Sequence, residues 1–447
     1  MHAGQALAAV FKHFERAEVL ETSVQHPFLT RIFHLNCFLF DYVCVKRSRQ
    51  DRFTMRISSC FPLCTLICWT SRSVYGFNIR SLTSTVKRCR HAFSLFAVSA
   101  SDDSQLAQLA SMTTLSIDSG DLNIIKEYAA TGYITDATTN PLFVSQAGLS
   151  GDPVYAKMVD DAVAYAIAAR DSGDIEESAV VSLAIDRLAV NLGKAISDIV
   201  PGYISTEVDP RLSFDTEASV QRARRIIAMY DSMGVPKNRV LIKLAATWEG
   251  ILAASQLEAE GIHCNLTLIF SVVQAVACAQ YGAHLISPFP GRILDWHKMK
   301  EGRTAGVEPD QDEGVVACKT MYNYYKCHGH DTICMPASWR PSRGAGYELD
   351  EIRALAGTDR MTIPAPLLAQ LAASTEPLDR KLDPESAKAS KLEEIAGGKL
   401  SEKEFRYKLN MDGCGTDKLA EGIRAFIGET EKLETAITQK VQTAVAV

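Results

Sequence analysis

A lysine interrupts a short aliphatic run, Val240-Leu241-Ile242-Lys243-Leu244-Ala245. Continuous, partly β-branched runs of this kind suit a buried strand of a parallel sheet. An ammonium in such a place is costly unless it is paired or gives up its proton. Burial favours the neutral amine, and only the neutral amine attacks a carbonyl to form an imine. The run is equally compatible with a lysine whose stem is buried and whose tip meets an acidic partner.

Neighbouring runs carry polar residues at alternate positions, and strand side chains alternate between faces. Ser205-Thr206-Glu207-Val208-Asp209 puts Glu207 opposite Val208, and His263-Cys264-Asn265-Leu266-Thr267 puts Asn265 with Thr267 while Leu266 and Leu268 face away. In Asp136-Ala137-Thr138-Thr139-Asn140, Asp136, Thr138 and Asn140 share a side, and Pro141 holds Asn140 extended. An earlier run ends at Asp118-Ser119-Gly120-Asp121. Each buried polar group must find a partner, so several polar faces converging point to a functional pocket. Ile286-Ser287-Pro288-Phe289-Pro290-Gly291-Arg292 places an arginine just past a strand end, where its planar fork suits phosphate oxygens. A rim arginine paired with Asp295 is the plainer alternative. Ala337-Ser338-Trp339-Arg340 supplies a second Ser/Arg pair.

The elements that must position these residues alternate. Strands are expected at Leu115–Asp118, Ile134–Thr138, Ile204–Asp209, Val240–Ala245, Cys264–Phe270, His284–Phe289, Thr332–Ala337 and Met361–Pro364. Helical patterns run over Val154–Ala169, Ala218–Met233 (opened by Asp215-Thr216-Glu217), Trp248–Glu260 and Phe270–Tyr281 with a Ser271 cap. Eight strand–helix alternations predict an α/β fold, a (β/α)₈ barrel of the TIM type with extra helices, whose site lies at the carboxyl ends of the strands. A doubly wound open sheet is the runner-up, but no glycine-rich phosphate fingerprint follows the first strand. The charged tail from about Ser390 reads as helix packed on the outside or rim of the barrel.

Of the 447 residues, 47% are hydrophobic and 22% charged, which is globular composition. The charge is uneven: residues 1–101 hold 13 Lys/Arg against 5 Asp/Glu, whereas the whole chain carries −6. No acidic residue occurs from Arg52 to Ser101, where Ser, Thr and Arg abound, as in organelle transit peptides. Inside it, Met55-Arg56 precedes an apolar stretch, Ile57 to Trp69, suited to a secretory signal and short of a membrane span. Val74-Tyr75-Gly76-Phe77 then leads into a second basic, hydroxyl-rich part. The arrangement resembles the two-part presequences of algae with secondary plastids. Residues 1–104 are therefore expected to be an extension outside the fold, with a functional start near Met55, and 105–447 the barrel with C-terminal helices. The expected location is a plastid, with the cytoplasm as alternative. Six of twelve cysteines precede residue 90, and Cys60, Cys64 and Cys68 form one stripe of a signal core. Cys327-His328-Gly329-His330 with Cys334 matches no standard zinc spacing, so no metal site is expected.

Taken together, Thr135-Asp136-Ala137-Thr138-Thr139-Asn140-Pro141, Ser205 to Asp209, Leu241 to Ala245, Asn265 to Leu268, and Ser287-Pro288-Phe289 through Trp296 resemble the transaldolases. The resemblance spans roughly Leu106 to Leu433. It implies that Lys243 forms an imine with the C2 ketone of a ketose phosphate, and that Asp118 exchanges the C4 hydroxyl proton. It implies that Glu207, with a water held by Thr267, moves protons in carbinolamine formation and imine hydrolysis. Asn140 and Asn265 would hold the donor hydroxyls, Ser287 and Phe289 the pocket wall, and Arg292, Ser338 and Arg340 the phosphate. The implied reaction carries dihydroxyacetone from sedoheptulose 7-phosphate to glyceraldehyde 3-phosphate, without metal or organic cofactor. The implied partners are sugar phosphates, with no nucleic acid and no membrane in the mature form, and a homodimer is implied.

One loop departs from the family pattern. Its usual Met-Gly-Ala-Ser-Phe-Arg-Asn reads Met335-Pro336-Ala337-Ser338-Trp339-Arg340-Pro341, with extra residues around Ser342 to Tyr347. Pro336 removes a backbone donor, so phosphate binding is where this chain departs most. Two alternatives accompany the transferase reading: an aldolase acting on fructose 6-phosphate, against which Phe289 leans, and a catalytically silent barrel used for binding, against which the intact Asp118, Glu207, Lys243 and Asn265 argue.

Overall fold

A computed structural model describes residues 100–395 and 398–446, together with a short antiparallel backbone pair, Val45–Arg47 with Phe53–Met55. The chain divides between His91 and Ala92. The presequence features expected between Met55 and Phe77 lie outside the described residues, apart from Met55 itself at the end of that strand pair. Beyond Ala100 the first helix is Gln105–Ala110, with the Ser104 hydroxyl accepting from the Ala107 amide.

Eight parallel strands follow: β1 Thr114–Asp118, β2 Ile134–Thr138, β3 Ile204–Glu207, β4 Val240–Ala245, β5 Cys264–Ile269, β6 Leu285–Pro288, β7 Ile333–Cys334 and β8 Arg360–Ile363. Consecutive strands pair from β1 through β7 and β8 pairs with β1, so the sheet curls into the expected TIM-type barrel, nearly closed between β7 and β8. The closing seam between β7 and β8 is thin. Ile333, Met335 and Ala337 donate to His284, Ile286 and Pro288 at 2.9 Å each, so every second amide beyond Ile333 is used toward β6. The amide of residue 336 would face β8, and Pro336 has none. The one backbone–backbone bond left at the seam is Thr362 N–H donating to the Pro336 carbonyl at 3.2 Å. Side chains add the rest: Asp359 Oδ2 accepts from the Cys334 amide at 3.0 Å, Thr358 Oγ1 donates to the Cys334 carbonyl at 3.3 Å and Trp339 Nε1 to the Thr362 carbonyl at 2.8 Å. This is why β7 is shorter than the Thr332–Ala337 expected from the sequence.

The helices that frame the site are α1 Pro141–Leu149, α2 Pro153–Asp171, α3 Val180–Ser197, α4 Thr216–Ser232, α5 Trp248–Ala259, α6 Val272–Gln280, α7 Pro290–Glu301, α8 Glu313–Cys327, α9 Glu402–Met411 and α10 Gly413–Val445. Their starts follow local chemistry. Asp215 caps α4, and Ser271 with Gln274 makes a capping box on α6. The last of these begins two residues later than expected because Phe270 and Ser271 are still needed to leave the strand.

Apolar side chains form three groups. The largest lies between barrel and helices, as in any barrel of this kind. Leu241, Leu285 and Met335 plug the barrel interior near its amino-terminal end. One pleat further along the same inward faces the residues become Lys243, Ser287 and Ala337, two of them polar. The third group roofs the carboxyl end: Leu268, Phe270, Phe289 and Ile293 pack against Cys414, Leu419, Ile423 and Phe426 of α10. Leu268 takes a left-handed backbone, φ 57°, and α10 approaches it so closely that a Cβ on Gly422 would lie 2.7 Å from Leu268 Cδ2. The tail is thus the rim packing expected, and more: it lies across the mouth. No helix among the described residues is long and apolar enough to cross a membrane.

Candidate active site

Register brings the first group together. Glu207 on β3 pairs with Lys243 on β4, and Lys243 pairs with Asn265 on β5. Three consecutive strands therefore hold a carboxylate, an amine and an amide at one level, with Thr267 two residues above Asn265 on the same face. Lys243 is 5% exposed; its Nζ lies 3.4 Å from Glu207 Oε2 and donates to the Thr139 carbonyl at 3.3 Å. The carboxylate partner is present, so the pairing weighed from sequence exists. It sits inside a cavity wall, where a purely structural lysine gains nothing from being.

Burial pushes the Glu207 carboxyl up to about 7, against the pull of the Lys243 charge. Glu207 Oε2 and Thr267 Oγ1 are both sealed from solvent; the first has only the 3.4 Å contact with Lys243, and the second makes no hydrogen bond. Two such atoms on one face are unusual in a folded protein and are the demand a bound water or substrate hydroxyl would meet.

Across the barrel, Asp118 ends β1. Thr138 Oγ1 donates to its Oδ1 at 2.9 Å and stands 2.7 Å from Thr362 Oγ1, so a hydroxyl pair from β2 and β8 orients the carboxylate. Burial raises the Asp118 carboxyl above its ordinary value, while Lys243, Thr138 and Arg292 pull it down. Asn265 is fully buried; its Oδ1 accepts from Ser287 Oγ at 2.8 Å and its Nδ2 faces Ser205 Oγ at 3.4 Å. Asn140 caps α1, its Oδ1 accepting from the Phe143 amide at 3.1 Å, with Pro141 as the first helical residue. That bond fixes which edge of the amide is spent, leaving Nδ2 for the cavity that Asn140 lines.

The cavity has a volume of about 170 Å³ and is walled by Asp118, Thr138, Asn140, Lys243, Ser287, Phe289, Arg292 and Ser338, with Leu142, Phe143, Ala337, Thr362 and Phe426. Phe289 stands edge-on to Phe270, ring centres 5.6 Å apart, and lies 5.0 Å beneath the Arg292 guanidinium. Arg292 Nε donates to Ser338 Oγ at 3.3 Å. Ser338 has φ 64°, a strained conformation for a residue with a side chain and one that gathers at functional sites. Its carbonyl comes so near α7 that a Cβ on Gly291 would sit 2.5 Å from it.

Arg340 differs from the rest. Its Nε donates to Asp295 Oδ2 at 3.0 Å, and its side chain is 43% exposed and not part of the cavity wall. The Asp295 partnership weighed for Arg292 thus belongs to Arg340, which frees Arg292 to face inward. Its own backbone amide donates to Glu351 Oε2 at 2.6 Å. The extra residues are tied down: Ser342 Oγ donates to Asp312 Oδ2 at 2.6 Å, and Arg343 pairs with Asp350 at 2.6 Å while covering the Tyr347 ring.

Leu142, Phe143, Thr362 and Phe426 are wall residues that the sequence reading missed, and Phe426 is the most distant of them in the chain from Lys243. Leu419, Ile423 and Phe426 recur at helical spacing in the tail, which signals a buried face but not which surface it meets. The Cys327, His328 and Cys334 group holds no shared geometry: Cys334 is buried on β7, and Cys327 Sγ lies on the Ser390 carbonyl at 2.8 Å.

A family model, Transaldolase/Fructose-6-phosphate aldolase, matches residues 115–437. A transaldolase of Alteromonas mediterranea is 48% identical over 338 residues, 75% of this chain and 98% of its own length. Transaldolases of Marinobacter nauticus and Actinobacillus pleuropneumoniae serotype 3 are 47% and 46% identical, each over 76% of this chain and all of their own length.

Proposed function

The chain belongs to the transaldolase/fructose-6-phosphate aldolase family and is an enzyme that transfers aldehyde or ketone groups, and on that premise we propose a mechanism centred on Lys243. The neutral Nζ adds to the C2 carbonyl of sedoheptulose 7-phosphate. Glu207, through a water held by Thr267, moves the protons that turn the carbinolamine into an iminium ion with loss of water. Asp118 takes the C4 hydroxyl proton, and the C3–C4 electron pair flows into the iminium nitrogen. Erythrose 4-phosphate leaves; glyceraldehyde 3-phosphate enters; the enamine attacks it as Asp118 returns the proton. Hydrolysis of the new iminium releases fructose 6-phosphate. Asn140 and Asn265 hold the hydroxyls of the three-carbon unit, Ser287 and Phe289 shape its wall, and Arg292 with Ser338 receives the phosphate. Arg340 joins the phosphate only by leaving Asp295.

One observation carries this reading: Lys243, in register with Glu207 and Asn265 on its two neighbouring strands, reaches the wall of a cavity that Asp118 also lines. The raised Glu207 carboxyl, near 7, fits a group that both gives and takes protons at neutral pH. Borohydride reduction with fructose 6-phosphate, followed by peptide mass mapping, tests it. A dihydroxyacetone-sized adduct on Lys243, absent from Lys243→Ala, is expected; no adduct on any lysine refutes the mechanism.

Transfer is favoured over simple release of dihydroxyacetone because Phe289 brings an apolar ring, packed on Phe270, where a hydroxyl would hold a hydrolytic water. Adding erythrose 4-phosphate separates the two, since only transfer consumes it. We further propose that residues before about 104 carry a two-part plastid address read from near Met55, and that the mature enzyme is a homodimer. The basic, acid-free stretch from Arg52 to Ser101 supports the address. Amino-terminal sequencing of the native protein tests it, a start near Met1 overturning it, and light scattering tests the dimer.

A further inference from the structure

At the amino-terminal end of the barrel, opposite the cavity, Glu258 of α5 meets two histidines that open β5 and β6. Glu258 Oε1 accepts from the amides of Cys264 at 2.7 Å and His284 at 3.0 Å, which fixes the carboxylate between the two strand starts. Its other oxygen, Oε2, is turned to His263 Nδ1 at 2.9 Å. The His263 and His284 rings stack at 4.1 Å with 23° between planes, and Tyr203 stands edge-on to His284 at 5.6 Å. Each of the three residues offers one donor atom, and these atoms lie within 4.8 Å of one another.

An ordinary Glu–His pair explains half of this. It accounts for His263 and Glu258 and leaves His284 unexplained: His284 Nε2 is sealed from solvent and makes no hydrogen bond. His284 thus brings to the group an imidazole whose Nε2 has no partner. Neutral imidazoles and a carboxylate are the donors borderline transition ions select, and three protein ligands plus a water is a common zinc arrangement. Bound at about 2.0–2.2 Å, such donors lie roughly 3.3 Å apart, so the cluster must close a little. The His263 side chain is 32% exposed and Glu258 14%, which leaves room for that rotation and a way in for the ion. The two backbone donors on Oε1 already supply the outer hydrogen bonds that orient a ligating carboxylate.

We propose that Glu258, His263 and His284 form a binding site for a divalent transition ion of the zinc class, distinct from the catalytic cavity, which pins the starts of β5 and β6 together. On those strands Asn265 follows His263 by two residues and Ser287 follows His284 by three, the two side chains tied to each other at 2.8 Å inside the barrel, so the ion acts first on stability through the strand starts.

Untagged full-length protein, stripped with a chelator, is titrated with Zn²⁺ alone while its unfolding temperature is followed. Co²⁺ replaces Zn²⁺ for the visible spectrum. One equivalent per chain, a raised unfolding temperature and the absorption bands of a four- or five-coordinate ion are expected. His263→Asn and His284→Phe, made separately, should each weaken binding by about tenfold or more while transfer activity stays near wild type. Absence of binding at stoichiometric Zn²⁺ overturns the proposal, as does wild-type affinity in both variants. If one variant folds poorly, the other decides.

Discussion

The two ends of the cavity are built differently. The lysine end hangs on three paired strands, and its groups are placed by register: Glu207, Lys243 and Asn265 follow one another as neighbours in a ladder. The anion end hangs on a loop and a helix start beside the seam, where Pro336 leaves a single backbone hydrogen bond to hold β7 against β8. There the placement of Arg292 and Ser338 depends on a left-handed Ser338 and a glycine at 291. A ladder tolerates no adjustment, because a slip of one residue turns every side chain to the other face. A loop can change its partners, and Arg340, engaged with Asp295, shows one such choice. On the proposed mechanism the chemistry falls to the part that cannot move, and phosphate recognition to the part that can.

Substitutions along this axis should fall off in the same order. Lys243→Ala removes the nucleophile, and turnover is expected to drop on the order of 10⁴-fold or more with no reducible adduct. Glu207→Gln should cost roughly 10²–10⁴-fold in kcat with little change in KM, since proton transfer alone is lost. It also has a stability consequence. The folded Glu207 carboxyl, near 7, lies above its unfolded value of 4.5, so its contribution is full below about 4.5 and is lost as pH rises through about 7. The Gln variant should therefore unfold later than wild type at pH 8, by on the order of 1–3 kcal/mol, and no later at pH 4. Equal unfolding curves at both pH values would remove the buried ionised carboxylate from the account.

Arg292→Ala should act mainly on KM for phosphorylated donors, by about 10–10³-fold, the loss of one or two charge-assisted bonds. An unphosphorylated ketose should be affected far less, and a split between the two donors is the measurement. Arg340→Ala should change KM by less than about fivefold, because its guanidinium is half exposed and already paired with Asp295. If Arg340→Ala matches Arg292→Ala, the side chain swings inward with substrate and the contrast between a fixed and an adjustable end fails in its simplest form.

The same contrast explains what could be read without coordinates. The polar faces of β1 to β5 were legible because alternation and strand length fix which side chains meet, and Lys243, Asn265 and Asp118 stand where alternation puts them. The extent of the barrel strands was legible to within a few residues for the same reason. Three things were not. The altered loop already sets Arg340 apart from Arg292, but Asp295, weighed as the partner of Arg292, is the partner of Arg340. Phe426 lies 183 positions beyond Lys243, and no local pattern says that a tail helix turns its apolar stripe onto the mouth of the cavity. His263 and His284 are 21 residues apart and meet only because consecutive strands start side by side.

Phe426 and Gly422 also bear on how the molecule is made. A ribosome delivers the lysine, its carboxylate and its amides long before α10, the last long helix to emerge. For the interval between, a nascent chain carries the proposed imine-forming lysine in an unroofed barrel. Only when α10 seats Gly422 against Leu268 does Phe426 complete the wall. A message truncated ahead of this helix would still encode all the proposed reacting groups, yet yield a vessel with no lid.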